Sequence, residues 1–129
     1  MTTRRIVSTQ GAPAAIGPYS QAVVGGGLVH CSGQIPIDPA TGKLIDGDVA
    51  AQAERVLANL KAVLEAAGSG FDRVLKCQVF LKDLRDFDAV NAVYARAFEG
   101  LEPPARACVE VARLPKDVLV EIDCVALCD

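Results

Sequence analysis

The chain has 129 residues, 51% of them hydrophobic, and a formal net charge of −3. This length and composition exclude a disordered segment and predict one domain, residues 1–129, with enough apolar side chains for a buried core. The acidic balance and the absence of any run of Lys or Arg argue against a nucleic-acid-binding surface. No apolar stretch is long enough to span a bilayer, so we expect no contact with a membrane.

The N-terminal segment and the cysteines indicate the cellular compartment of the protein. The first segment, M-T-T-R-R-I-V-S, lacks the apolar core of a signal peptide, so we expect a cytoplasmic protein. Five cysteines without a C-x-x-C pair predict free thiols in a reducing compartment. His30 precedes Cys31 on a predicted strand, and neighbouring strand residues point to opposite faces. These two side chains make a poor metal-ligand pair, and we expect neither a metal nor another cofactor.

The first part of the chain is typical of short strands connected by turns. Residues 4–8 form a candidate strand, and a loop rich in Gly and Pro leads from it to Tyr19. Residues 21–24 and 28–32 form two more strands around three consecutive glycines, which predicts a β-hairpin. The segment 35–47 carries turn residues throughout and is predicted to be a loop.

A long amphipathic helix follows this loop. Asp48 is a suitable N-cap, and Gly68 is a suitable residue to end the helix. Apolar residues recur between them at helical spacing, so one side of the helix is expected to pack on a sheet. The other side is predicted to be polar and contains Gln52, Glu54, Arg55, Asn59 and Lys61.

A strand at residues 74–82 and a second helix at residues 87–99 come next. Alternation in the strand predicts a core-facing side made of Leu75, Cys77, Val79 and Leu81. In the second helix, Asn91 lies about one turn from Phe87 and Tyr94 and borders the apolar side. An amide in that position is usually an interface or surface residue.

The last two predicted strands combine charged and apolar residues. Alternation in the first strand predicts that Ala107, Val109 and Val111 share one face and that Arg106, Cys108 and Glu110 share the other. The second strand is apolar at alternate residues from Val118 to Ala126 and carries Glu121 on its other face. Burying a charge is costly unless it is paired. Two interpretations follow: a structural Arg–Glu ion pair, which the spacing alone favours, or a clamp for a small carboxylate.

The order of these elements predicts an α+β domain with both helices on one face of the sheet. We expect a wholly apolar face under the helices and a mixed opposite face bearing Gln78, Arg106, Cys108, Glu110 and Glu121. The chain offers no third helix to cover the mixed face, so we infer that other subunits cover it. The short link at residues 113–117 suggests locally that the last two strands form a hairpin.

Four segments resemble, in the same order, those of the RidA (YjgF) family of reactive-intermediate deaminases. They are G-P-Y-S-Q-A at 17–22, C-S-G-Q-I-P at 31–36, V-F-L-K-D-L followed by F and V-N at 79–91, and P-A-R-A-C-V-E-V-A-R-L-P-K-D-V followed by V-E-I at 104–122. The resemblance covers nearly the whole chain. It implies a chorismate-mutase-like single domain with a mixed sheet of about six strands and two helices on one face. It also implies other strands between the last two, and a homotrimer with ligand pockets between subunits.

The resemblance also implies an activity and its residues. Members hydrolyse 2-imino acids and their enamine tautomers, such as 2-aminoacrylate, 2-iminopropanoate and 2-iminobutanoate, to 2-keto acids and ammonia, which protects PLP-dependent enzymes. Arg106 would hold the substrate carboxylate through two parallel hydrogen bonds. Glu121 would orient water and move protons, and the neighbouring Arg106 should keep its carboxylate ionised. The Cys108 backbone and the Gly33 carbonyl would hold the imine or the water. The remaining substrate-binding residues implied are Tyr19, Ser32 and Asn91.

Two other functions stay open. The same pocket would serve a trimeric sensor of small 2-keto carboxylates that does not turn them over. RNA cleavage is also attached to the family, but the acidic balance and low aromatic content weigh against it. The presence of Arg106, Cys108 and Glu121 together favours the enzyme.

Overall fold

A computed structural model describes residues 3–129, so the first two residues of the predicted domain and N-terminal segment lie outside it. The strands are β1 (Arg5–Val7), β2 (Ala22–Gly25), β3 (Leu28–Gln34), β4 (Ile37–Asp38), β5 (Lys43–Leu44), β6 (Val74–Leu81), β7 (Ala105–Glu110) and β8 (Val120–Leu127). The helices are α1 (Val49–Ala67) and α2 (Phe87–Ala97). In the part of the chain described, neither helix is long and apolar enough to cross a membrane.

Six strands form one mixed sheet in the order β1-β2-β3-β8-β6-β7. Strand β8 pairs antiparallel with both β3 and β6, whereas β7 pairs parallel with β6 at the edge of the sheet. A parallel pair needs a long crossover connection, and α2 supplies it. The local expectation of a hairpin between the last two strands is therefore wrong. The resemblance implies other strands between them, and the structure has one strand, β6, in that position. The predicted α+β class, with two helices on one face of a six-stranded sheet, is also confirmed.

Helix α1 begins and ends where its capping residues predict. The Asp48 carboxylate accepts a hydrogen bond from the backbone N–H of Ala51 at 3.0 Å. Gly68 ends the helix with φ of 87°, a left-handed conformation that glycine adopts without a steric penalty. Helix α2 ends at Ala97, two residues before its predicted end.

Asn59 and the small hairpin β4–β5 correct two expectations for the first half of the chain. Asn59 was placed on the polar side of α1, but it is completely buried. Its amide donates hydrogen bonds to the carbonyls of Ile35 and Ile37 at 3.2 and 3.0 Å. The amide thus attaches α1 to the segment that was predicted to be only a loop. Strands β4 and β5 have two residues each, and such short strands produce no detectable periodicity in the sequence.

The sheet face under the helices is apolar along β8 and most of β6. Residues Val120, Ile122, Cys124 and Ala126 of β8 alternate as buried side chains, as predicted. In β6, Cys77 is buried as expected, but Leu75 is 45% exposed. The register with β8 shifts between Val74 and Lys76, and this bulge turns Val74 rather than Leu75 towards the core. The predicted orientation of Leu75 is therefore wrong.

Strand β7 has the opposite orientation to the one predicted. Residues paired in a sheet point to the same face, and Arg106 pairs with Cys77, which is buried under the helices. Cys108 and Glu110 follow Arg106 onto that helix-side face, so grouping them with Gln78 and Glu121 was wrong. Strand β7 lies at the edge of the sheet, where its helix-side face stays largely exposed. That position tolerates charged residues, so the polarity pattern did not reveal which way the strand faces.

Candidate functional site

The predicted site residues form two groups on opposite faces of the sheet. One group lies on the helix side, where β7 meets α2, and contains Asn91, Arg106 and Cys108. The other lies on the open face, around the end of β3 and the start of β8, and contains Tyr19, Ser32, Gly33 and Glu121. We call them the arginine group and the glutamate group.

Arg106 is held by uncharged neighbours. Its Nη1 donates a hydrogen bond to Oδ1 of Asn91 at 2.8 Å. Its Cζ lies 4.8 Å from the ring centroid of Tyr94 and 5.4 Å from that of Phe87. Both separations are within the range of a cation–π interaction.

No carboxylate within residues 3–129 lies within 4.0 Å of the Arg106 nitrogens. Four other arginines differ in this respect, because each forms an ion pair: Arg73, Arg85, Arg96 and Arg113. An oriented guanidinium without an internal counter-charge suits the binding of an external anion, and its planar fork matches a carboxylate.

Cys108 lies two residues along β7 from Arg106, on the same face. Its side chain is partly exposed beside a cavity of about 490 Å³ lined by Leu84, Arg85, Phe87 and Asp88. Burial raises the pKa of the Cys108 thiol, and the charge of Arg106 only partly opposes that rise. The thiol is therefore protonated near neutral pH, which does not favour its use as a nucleophile.

The glutamate group is built on a bulge in β3. The register with β8 shifts between Cys31 and Gln34, so one extra residue lies in this strand where it passes Glu121. A Cβ atom added to Gly33 would lie 2.8 Å from Cδ of Glu121, which is closer than real contacts allow. Gly33 therefore lets the Glu121 carboxylate lie against the backbone.

Tyr19 reaches the same place from the loop before β2. Its hydroxyl accepts a hydrogen bond from the backbone N–H of Ile16 at 3.3 Å, and the side chain is 47% exposed. Tyr19, Gly33 and Glu121 line a cavity of about 270 Å³ on the open face. The other residues lining this cavity are Ile16, Ile35 and Pro115.

Ser32 acts within the chain. Its hydroxyl donates a hydrogen bond to the carbonyl of Ser20 at 2.6 Å, and its backbone N–H donates to the carbonyl of Gln21 at 3.0 Å. These bonds attach the loop that carries Tyr19 to β3. Because the hydroxyl proton is already used, Ser32 supports the pocket and has no free donor for a ligand.

The pKa of Glu121 is displaced in the opposite direction to the one expected. Burial raises the pKa of this half-buried carboxyl, and the negative charge of Asp123 on the same face raises it further. We expected Arg106 to keep Glu121 ionised, but in one chain the two side chains lie on opposite faces of the sheet. That expectation is wrong for the single chain, because β6 lies between the strands of the two residues and the sheet separates the carboxylate from the guanidinium.

Several residues that shape the two groups were missed at the sequence level. Tyr94 and Phe87 contact the Arg106 guanidinium, and the side chain of Gln21 donates hydrogen bonds to the carbonyls of three residues in the loop before Tyr19. The spacing of Phe87, Asn91 and Tyr94, which puts them on one side of a helix, was the available signal for the first pair. The burial of Gln21 depends on tertiary packing and left no local signal.

Comparison with known proteins places this chain and its fold in one family. Residues 9–128 match the family model Ribonuc_L-PSP, described as Endoribonuclease L-PSP. The chain is 55% identical over 126 residues to a RutC family protein of Synechocystis sp., covering 97% of each chain. It is 52% identical over 125 residues to the 2-iminobutanoate/2-iminopropanoate deaminase of Salmonella typhimurium, covering 95% of this chain and 97% of the relative.

A solved structure agrees with these sequence matches. The crystal structure of E. coli TdcF with bound serine superposes with a TM-score of 0.93 at 46% identity, covering 97% of this chain and 99% of that one. The fold is thus that of the RidA-type α+β proteins. The chain belongs to the Ribonuc_L-PSP family, which includes the RidA proteins, and the recognition made from its motifs is confirmed.

Proposed function

We propose that this protein hydrolyses small 2-imino acids and their enamine tautomers to 2-keto acids and ammonia. The substrates would be 2-aminoacrylate, 2-iminopropanoate and 2-iminobutanoate. The observation that carries the proposal is Arg106, a guanidinium oriented by an amide and two aromatic rings and without a carboxylate partner among residues 3–129. The 52% identity with a protein named as a deaminase of 2-iminobutanoate and 2-iminopropanoate supports the same chemistry.

We infer that the arginine group of one subunit and the glutamate group of another form one pocket in a homotrimer. Within a single chain the groups face away from each other across the sheet, so a ligand held by both must lie between two copies. The open face offers a surface for such contact, because it carries the partly exposed side chains of Phe80, Glu121, Asp123 and Val125. The rim of a protein interface is polar and keeps contact with solvent, and half-buried carboxylates fit such a rim.

In this pocket the chemistry needs orientation and proton movement more than a strong nucleophile. Arg106 binds the substrate carboxylate, and water attacks the imine carbon. An enamine reaches this imine form by taking up a proton at its β-carbon and losing one from nitrogen. Glu121 takes a proton from the attacking water and passes it to the imine nitrogen, which gives the carbinolamine. The hydroxyl proton of the carbinolamine then moves to the nitrogen through Glu121 as the C–N bond breaks, and the products are the 2-keto acid and ammonia. A carboxyl whose pKa is raised by burial exchanges protons more readily near neutral pH. The Gly33 carbonyl would accept a hydrogen bond from the imine or the water, and Asn91 and Tyr19 would border the pocket.

The activity would protect PLP-dependent enzymes, which release these intermediates and are damaged by them.

Five cysteines in the described chain are all free thiols, which agrees with the cytoplasmic location we expect.

A coupled assay tests the proposal. A PLP-dependent lyase generates 2-aminoacrylate, and pyruvate is followed with and without this protein. We expect faster pyruvate formation, abolished in Arg106→Ala and reduced about 10- to 100-fold in Arg106→Lys, because lysine keeps the charge but not the planar fork. Arg96→Ala is the matched control, since Arg96 of α2 forms an exposed ion pair with Glu54 of α1.

Two other outcomes would replace this proposal. A wild-type protein that binds pyruvate without accelerating its formation would be a sensor of small keto acids. The family description names an endoribonuclease, so RNA cleavage is assayed in parallel. Ribonuclease activity that follows the protein through purification and persists in Arg106→Ala would assign it to RNA instead.

A further inference from the structure

The side of α2 that faces β7 presents three residues to Arg106. Phe87, Asn91 and Tyr94 are spaced four and three residues apart, so they lie on one side of the helix. All three contact the guanidinium, Asn91 through a hydrogen bond and the two rings through their faces. We call these three residues the guanidinium cradle.

The cradle fixes Arg106 without neutralising its charge. Asn91 occupies one of the five N–H donors of the guanidinium, and the rings occupy none. A carboxylate in the place of Asn91 would hold the side chain as firmly but would compete with an anionic ligand for the positive charge. Among residues 3–129 the guanidinium has no other hydrogen-bond partner, so the amide leaves the charge and four donors available.

The ring of Tyr94, rather than its hydroxyl, is what acts on Arg106. Tyr94 is only 5% exposed, and within residues 3–129 its hydroxyl oxygen has no hydrogen-bond partner of suitable geometry. The Cys77 thiol lies beside this hydroxyl, and burial raises the pKa of Tyr94, which keeps the phenol neutral. A phenylalanine in this position would therefore retain the contact with the guanidinium.

We propose that Tyr94 and Asn91, together with Phe87, are positioning residues that preset the plane of Arg106 for a ligand carboxylate. This inference rests on the proposed function, because it assumes that Arg106 binds the carboxylate. It also changes the role expected of Asn91, whose amide oxygen is directed to Arg106 and not to the substrate. An arginine on an exposed edge strand loses considerable side-chain freedom when it binds a ligand, and the cradle removes part of that cost before the ligand arrives.

Calorimetric titration with pyruvate, together with kcat and KM from the coupled assay, tests the inference. We expect Tyr94→Leu to raise the Kd for pyruvate and the KM together by about 10-fold, with a smaller change in kcat. Tyr94→Phe should restore most of the affinity. Asn91→Asp should also weaken pyruvate binding, because it keeps the hydrogen bond but adds a competing negative charge. Equal pyruvate affinity in Tyr94→Leu and wild type, or equal weakening in Tyr94→Phe and Tyr94→Leu, would overturn the inference.

Two controls separate positioning from a general loss of structure. Val93→Ala shortens a buried side chain of the same helix, which lines a cavity with Leu57 and Lys61 of α1 and not with Arg106, so it should lower the melting temperature without changing the Kd for pyruvate. If Tyr94→Leu does not fold, Phe87→Leu takes its place, since Phe87 is less buried. An unchanged affinity in Phe87→Leu would then count against the cradle.

A further measurement distinguishes failure of this inference from failure of the proposed function. The NMR signal of the Arg106 Nε–H group reports the mobility of the side chain without any ligand. We expect slow motion in wild type and Tyr94→Phe and fast averaging in Tyr94→Leu. Equal mobility in all three proteins would reject the cradle even if wild type hydrolyses imines. An ordered Arg106 in a wild-type protein that neither binds pyruvate nor accelerates its formation would reject the proposed function and, with it, the ligand role of the cradle.

Discussion

Arg106 and Glu121 lie on opposite faces of one sheet. On β6, Arg106 is paired with Cys77 and Glu121 with Phe80, and side chains three residues apart on a strand point in opposite directions. The two groups cannot contact one small ligand within a single chain. If they act on the same substrate, every active site of the assembly is shared by two subunits.

The close contact between Gly33 and Glu121 predicts a large effect of a small substitution. Gly33→Ala would force the Glu121 side chain to move, because the added methyl group overlaps the carboxylate. We expect imine hydrolysis to fall by about 100-fold, since displacement of a catalytic group by about 1 Å has effects of this size. Gly25→Ala is the control, because its added methyl meets only the carbonyl of Thr3, 3.9 Å away. Equal activity in the two variants would show that the position of Glu121 is not critical.

The raised pKa of Glu121 predicts how stability varies with pH. Its folded pKa lies above the usual unfolded value of about 4.3, so the stability that protonation contributes is complete below that value and is lost as pH rises through the folded pKa. Glu121→Gln carries no charge at any pH. We therefore expect the melting temperature of wild type to fall relative to that of Glu121→Gln as pH rises from about 4 through the folded pKa of Glu121.

The same experiment reports on assembly. A Glu121→Gln protein that is less stable than wild type at the higher pH would contradict the sign derived from the single chain. It would show that a cation from another subunit stabilises the carboxylate.

Asn59 predicts a strong dependence of stability on one buried amide. Asn59→Ala removes both hydrogen bonds to the carbonyls of Ile35 and Ile37 and leaves those acceptors buried. We expect a loss of about 2–3 kcal/mol in the free energy of unfolding, measured by urea denaturation at fixed protein concentration. Lys61→Ala, at an exposed position of the same helix, should change it by less than about 0.5 kcal/mol. Similar losses in both variants would refute the structural role of the amide.

The five thiols should differ in reactivity. Cys108 is partly exposed, whereas Cys31, Cys77, Cys124 and Cys128 are buried. With an aromatic disulfide reagent at neutral pH, we expect Cys108 to react first and slowly, because burial raises the pKa of its thiol. The other four should react only after denaturant is added. Cys108→Ser should remove the first phase, and its persistence in that variant would show that a buried thiol becomes exposed in the native protein.

The order of elements and most of the core could be predicted from the sequence, because these depend on periodicities that few alternatives produce. The alternating buried residues of β8 and the caps of α1 at Asp48 and Gly68 are examples. The motifs also identified the residues of both groups. What periodicity could not provide is the orientation of β7, because alternation shows which residues share a face but not which face lies under the helices.

The buried polar contacts were unpredictable for a different reason. The contacts of Asn59 and Tyr94 are made with residues of other elements: Asn59 bonds to the carbonyl of Ile35, and the ring of Tyr94 contacts Arg106. The helical pattern predicts that an asparagine on the border of an amphipathic helix is a surface residue. In the structure the hairpin β4–β5 covers Asn59. The bulge that exposes Leu75 arises likewise from the register between β6 and β8, which a single strand does not encode.

The central position of β8 bears on how the polypeptide is made. Strands β3 and β6 are both synthesised before β8, yet neither can complete its ladder until β8 is inserted between them. During translation, β3 and β6 therefore keep unpaired edges until β8 is synthesised, which happens only after more than a hundred residues have been translated. Productive folding then requires that these unpaired edges do not pair with strands of other nascent chains. A premature stop codon before β8 would remove a central strand of the sheet and not an edge strand.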